Sequence, residues 1–149
     1  MKFADFSQKN ETKNGGWEMY TMMQVCKEAE MTYQTLKYYC NEGLIPNVKR
    51  DKNNRRVFDE RDLKWIKDLI CLKKCGMSIV EMKEYLNLCL QGPSTIQGRK
   101  EMLAKKRESL LSSIEELKGC VDYIDWKQDF YDDVLSGKRP YVSNLIPYN

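Results

Sequence analysis

Six cysteines, at positions 26, 40, 71, 75, 89 and 120, are the strongest nucleophiles in a 149-residue chain that has no histidine. None of them forms a Cys-x-x-Cys pair. Without imidazole, a zinc site would need thiolates and carboxylates alone, so no metal and no cofactor are expected. Cys71 and Cys75 would share one face of a helix at their spacing. They offer the nearest thing to a redox pair, and a thiol redox enzyme is a poor alternative because the usual motif and a nearby histidine are both missing. A second kind of chemistry is better supplied. The run from Lys49 to Arg56 holds five positive charges and one negative, and Arg50, Arg55 and Arg56 suit phosphate oxygens. Upstream lie Tyr33, Gln34, Thr35, Lys37, Tyr38 and Tyr39. A glutamine can pair bidentately with adenine, and a lysine can donate to guanine.

Those groups act together only if the chain folds to present them. Hydrophobic residues make up 42% and charged residues 32%, the balance of a helix-rich protein with much exposed surface. The net charge of +3 is modest, but residues 20–75 hold twelve Lys/Arg against eight Asp/Glu while residues 96–149 hold nine of each. Positive charge concentrated in one half of the chain fits contact with a polyanion. No apolar run reaches membrane length, and residues 1–19 lack the apolar core of a signal peptide. A cytoplasmic protein with reduced thiols is expected, with no membrane partner.

Helix starts are marked by Thr21 with Gln24, Thr32, Asp59 with Asp62 and Ser78 with Glu81, all capping patterns. Stops fall at Gly43, Gly76 and Gly92, each suited to the left-handed position that closes a helix. The spacing predicts helices near 22–29, 33–42, 60–75, 79–91 and 96–135. A basic hairpin near 47–58 turns at Asp51–Asn54, where asparagine tolerates positive φ. The fold class is therefore mainly α: an N-terminal winged helix–turn–helix DNA-binding domain over 20–92, followed by a long coiled-coil dimerisation helix over 93–135. Residues 1–19 read as a flexible N-terminal extension, with Trp17 as a docking residue, and 136–149 as a C-terminal tail. Val25, Leu36, Leu44, Val57 and Phe58 are predicted core.

In the long helix, Ile96, Leu103, Leu110, Leu117, Ile124 and Tyr131 recur every seven residues. Ile114 and Val121 fill the companion seam, interrupted by Lys100, Arg107 and Gln128. Such a stripe needs a partner helix. Either the helix folds back on its own domain or two copies pair. The homodimer is preferred, because a small N-terminal domain offers too little surface, and the polar interruptions favour an antiparallel or short seam.

The chain resembles the MerR family of transcriptional regulators. The likeness rests on Tyr20-Thr21, Thr35-Leu36-Lys37-Tyr38-Tyr39, Glu42-Gly43-Leu44-Ile45-Pro46, Arg50-Asp51 and Arg55-Arg56. Asp62-Leu63, Gly76-Met77-Ser78-Ile79 and Glu81 complete it. Cys40, Lys37 and Asn54 depart from the acidic residue, arginine and glycine usual at their positions. The resemblance implies a homodimer on double-stranded DNA, with the second helix in the major groove and the wing on phosphates. One of Tyr38 and Tyr39 would place its phenol on a phosphate while the other packs inside. It further implies that a signal makes the dimer distort promoter DNA, realigning its elements for RNA polymerase. Residues 136–149 lack the cysteine pair of metal-sensing relatives and are too few for a drug-binding domain. Cys71, six residues after Trp65, resembles the thiol of the branch that responds to aldehydes and other electrophiles. Lys67, Lys73 and Lys74 lie close to it in sequence, the kind of setting that favours a thiolate; the alternative is a buried cysteine acting as a small hydrophobe. A constitutive repressor or DNA-architectural factor with no effector is the other alternative.

Overall fold

A computed structural model describes residues 18–147. Trp17 and nearly all of the expected N-terminal extension lie outside the described residues. Two compact units divide the chain within its last helix, between Leu103 and Ala104.

The first unit opens with a two-residue strand, β1 (Tyr20–Thr21), and a short helix, α1 (Met22–Glu28). Thr21 serves both elements. It ends the strand, and its hydroxyl accepts from the Gln24 amide at 3.2 Å while the Gln24 side chain accepts from the Thr21 amide at 2.8 Å. Those reciprocal bonds satisfy two donors that a helix start leaves without partners. A tight turn, with Glu30 at φ 51°, leads to α2 (Tyr33–Asn41), capped by the Thr32 hydroxyl on the Thr35 amide. Gly43, at φ +73°, ends α2 in a conformation that a Cβ would strain.

The basic hairpin follows as β2 (Lys49–Arg50) and β3 (Arg56–Phe58). Asp51 builds its turn: one carboxylate oxygen accepts from the amides of Asn53 and Arg55, at 2.8 and 2.9 Å. Asn54 takes φ 60°, the left-handed position predicted for asparagine here. The sheet has three strands in the order β1-β3-β2, all antiparallel, with Tyr20 opposite Phe58 and Lys49 opposite Val57. The hairpin is thus anchored to the chain segment that starts α1.

Helices α3 (Glu60–Lys74) and α4 (Ile79–Leu90) carry full capping boxes at Asp59/Asp62 and Ser78/Glu81. The core unites Val25, Leu36, Tyr39, Leu44, Phe58, Ile66, Leu69 and Met82, with Met77 from the α3–α4 turn. Val57 is a correction to the sequence-based core. It is only half-buried, because alternation in a strand sends it to the opposite face from Phe58. Trp65 donates to the Leu44 carbonyl at 2.7 Å and stacks on Tyr85, tying α3 to both neighbours.

A single 3-10 turn, Pro93–Thr95, leads into α5 (Ile96–Leu135), a continuous helix of 40 residues. Arg99 donates to the Gly92 carbonyl at 2.8 Å and so fastens the start of α5 to the end of α4. No residue of α5 is buried. Within the second unit Tyr123, Trp126 and Phe130 form a chain of ring contacts near the end of the helix.

Candidate nucleic-acid interface

On α2, Leu36 and Tyr39 face the core while Tyr33, Gln34, Lys37 and Tyr38 are exposed. The exposed four fall at helical spacing on one outer face, beginning in the first turn. This arrangement divides the tyrosine pair: Tyr38 is 47% exposed and Tyr39 is 4% exposed. Burial, then the neighbouring Tyr38, pushes the Tyr39 phenol above its ordinary range. Tyr39 is therefore the member of the pair that packs inside, so of the two tyrosines given as DNA contacts only Tyr38 presents its phenol outside. Thr35 needs a similar correction. It is half-buried, and its hydroxyl sits 2.8 Å from that of Thr32, so the side chain belongs to the helix cap.

Across a cleft of about 450 Å³ stands the wing. Thr21, Met22, Met23 and Tyr33 line one side, and Arg50, Arg55 and Arg56 line the other. Each arginine is held. Arg50 donates to the Asn54 carbonyl at 2.8 Å, Arg56 to the Asn41 side-chain oxygen at 2.7 Å, and Arg55 lies 3.9 Å from Asp51. Arg55 keeps three-quarters of its side chain exposed. A guanidinium has five donors, so one internal bond leaves others for phosphate oxygens. Asp51 titrates below the ordinary carboxylate range, chiefly because the Arg55 amide donates to it.

Sequence reasoning missed three features of this surface: β1, the Arg56–Asn41 bond, and the anchoring of Lys49. Lys49 Nζ lies 3.0 Å from Asp59 and 3.7 Å from Asp62. Both carboxylates are buried, and Arg61 also reaches Asp59 at 3.0 Å. Burial raises the Asp59 carboxyl, but the Asp62 amide, Lys49 and Arg61 outweigh it and bring it to about 2. Asp62 moves the other way, raised by burial. The pairing joins residues ten and thirteen positions apart, a distance that no local pattern exposes.

The cysteines are spread out. Cys26 and Cys40 are half-buried in the first helical pair, where burial pushes both thiols up, Arg56 and Arg50 opposing it at Cys40. Cys71 is half-buried on α3, and its carbonyl accepts from the Cys75 amide. Cys89 lies 3.9 Å from Arg99, and Cys120 is exposed. Among the described residues no group of three or more Cys, Asp or Glu could hold a metal ion, and no helix is long and apolar enough to cross a membrane.

A helix–turn–helix with a basic wing and a polar outer face on its second helix defines a DNA-binding protein of the winged class. Residues 20–89 match the model of the MerR HTH family of regulatory proteins. An HTH-type transcriptional regulator of Haemophilus influenzae, itself uncharacterized, is 34% identical over 75% of this chain and 83% of its own length. The regulator AdhR of Bacillus subtilis is 42% identical over 59% of this chain and 63% of its own. Among solved structures, HiNmlR, described as a MerR family regulator lacking the sensor domain and bound to promoter DNA, superposes with a TM-score of 0.69. It shares 32% identity over 80% of this chain and 90% of that one. The chain belongs to the MerR family: it is a DNA-binding transcriptional regulator and not an enzyme.

Proposed function

We propose that this regulator acts in the cytoplasm as a homodimer on promoter DNA, with α2 of each copy in the major groove and each wing on the flanking phosphates. The observation that carries the proposal is the common outer face of Tyr33, Gln34, Lys37 and Tyr38, whose first residue, Tyr33, lines one cleft with Arg50, Arg55 and Arg56. Gln34 and Lys37 are the base-reading candidates, and Arg50, Arg55 and Arg56 the phosphate-gripping ones. The description of HiNmlR as bound to promoter DNA supports the same target here.

Support for the dimer comes from α5. Leu103, Leu110, Ile114, Leu117, Val121 and Ile124 are each 39–65% exposed, and an apolar stripe of that length gains stability from a partner. The helix is also polar in charge. Residues 99–107 carry five cations and one anion, whereas residues 108–133 carry eight anions and two cations. Antiparallel pairing of two copies lays the basic end of one on the acidic end of the other; parallel pairing sets like against like. The seven-residue repeat is symmetric about Ser113–Ile114, so antiparallel copies match Leu103 with Ile124 and Leu110 with Leu117, while Ile114 meets Ser113 and Val121 meets Lys106.

The signal falls to Cys71. Its thiolate would add to the carbonyl carbon of an aldehyde: the S–C bond forms, the C=O π pair moves to oxygen, and water protonates it. Added volume at a half-buried site beside the core residues Leu69 and Leu72 would shift how α3 packs. The dimer would then distort the promoter and bring it into register for RNA polymerase. A promoter reporter challenged with formaldehyde, methylglyoxal or diamide tests this. Wild type responds and Cys71→Ser does not; an equal response in both removes Cys71 from the mechanism.

A further inference from the structure

The wing of this chain is short. Two residues in β2 and three in β3 make a small ladder, held along β3 by β1 and the buried Phe58, and a phosphate grip has value only if its angle to the reading helix is fixed. Two side-chain ties cross from the hairpin to the helices on either side. From β2, Lys49 Nζ reaches Asp59 at 3.0 Å and Asp62 at 3.7 Å, the residue before α3 and one in its first turn. From β3, Arg56 Nη2 donates to Asn41 Oδ1, the last residue of α2, at 2.7 Å. One tie sits on each strand and each leads to a different helix. The acceptors differ in kind. Asp59 and Asp62 are 2% and 3% exposed and already committed to the capping box of α3, so a cation bound there meets a rigid anchor. Asn41 is exposed and contributes little to the core.

We propose that Lys49 and Asn41 are positioning residues for DNA binding, holding the wing at a fixed angle to α2 while touching no phosphate themselves. The proposal rests on the wing gripping the DNA backbone. It separates the basic run into two classes: Arg55 and Arg50 neutralise phosphates, whereas Lys49, its side chain 44% exposed, turns its charge onto two buried carboxylates. Arg56 does both, one nitrogen on Asn41 and the others left for phosphate.

Salt dependence distinguishes the classes. A cation that neutralises a phosphate releases a counterion, and its loss lowers the slope of log K against log salt by about 0.9. A positioning residue lowers affinity at every salt concentration and leaves the slope unchanged. The full chain is titrated by fluorescence anisotropy with a random-sequence duplex, as wild type, Arg55→Ala, Lys49→Met, Lys49→Arg and Asn41→Ala. Arg55→Ala should lose slope. Lys49→Met and Asn41→Ala should each bind about five- to tenfold more weakly with the wild-type slope, the scale of one lost hydrogen bond, and Lys49→Arg should recover most of the loss. Amide hydrogen exchange on the DNA-free protein tests the tie itself: the Asp51 amide, bonded within the hairpin to the Arg55 carbonyl at 2.9 Å, should exchange several-fold faster in Asn41→Ala and Lys49→Met. Should Lys49→Met fail to fold, with Asp59 left to Arg61, Asn41→Ala decides alone. A slope reduced by about 0.9 in Lys49→Met, or unchanged affinity and exchange in Asn41→Ala, overturns the proposal. Salt-independent binding by wild type would instead overturn the phosphate grip, with the exchange measurement still judging the ties.

Discussion

The first unit and the long helix spend their apolar residues in opposite ways. Through Met82, the first unit closes Val25, Leu36, Phe58, Ile66 and Leu69 into one core and caps three of its four helices with reciprocal boxes. Helix α5 buries nothing along 40 residues, although a leucine or isoleucine recurs on one stripe almost throughout. The first unit has what a fold needs within itself, and the helix has what an interface needs. On the proposed reading, DNA contact rests with the first unit and association with α5, so the two can be broken independently.

The largest expected effect is on association. Leu117, 65% exposed, sits near the centre of the stripe. Leu117→Asp should reduce the homodimer to monomer at micromolar concentration, seen by size-exclusion chromatography with light scattering, while far-UV circular dichroism changes little. The mirror-image break is Phe58→Ala in the first unit. It should cost roughly 3–5 kcal/mol of stability in urea, because a fully buried ring leaves a cavity. It should leave the pairing of α5 intact in whatever fraction stays folded.

Gln34→Ala sharpens the account of the reading face. If its contact with a base is bidentate, it should relax preference at one operator position by about 1–3 kcal/mol and leave binding to random DNA unchanged. Competition binding against single-base operator variants measures this directly.

The smallest effect concerns acid. Asp59 is held at about 2 in the folded chain against roughly 3.9 unfolded. The stability it contributes is complete above pH about 4 and lost as pH falls towards 2, on the order of 2 kcal/mol. Asp62, raised by burial, has the opposite sign and returns part of that loss as it protonates. Lys49→Met removes a partner of both, and the acid midpoint in a pH titration of circular dichroism should shift upward.

Much of this was legible in the sequence, for a physical reason. Capping pairs, helix-ending glycines and a heptad are local patterns, so α1 to α5 and the hairpin turn at Asn54 fall where those patterns set them. Long-range pairings were not legible. Tyr20–Thr21 is too short a strand for any alternation to show, and becomes one only because Phe58 and Val57 lie opposite. Tyr38 and Tyr39 carry the same side chain and differ only in which way the helix turns them. Thr35 was read as a DNA-binding residue through its hydroxyl, which instead lies 2.8 Å from that of Thr32. Lys49 stood in the sequence only as one charge of the basic run, and its pairing with two buried carboxylates, ten and thirteen residues away, leaves no local pattern.

The division between a finished fold and an unfinished helix is tested most directly by sedimentation equilibrium of the full chain without DNA, over a micromolar concentration range. A single species of twice the 17.6 kDa chain mass, dissociating as salt screens the opposed charges of paired α5 helices, is the predicted result. A chain that remains at 17.6 kDa throughout that range would contradict it.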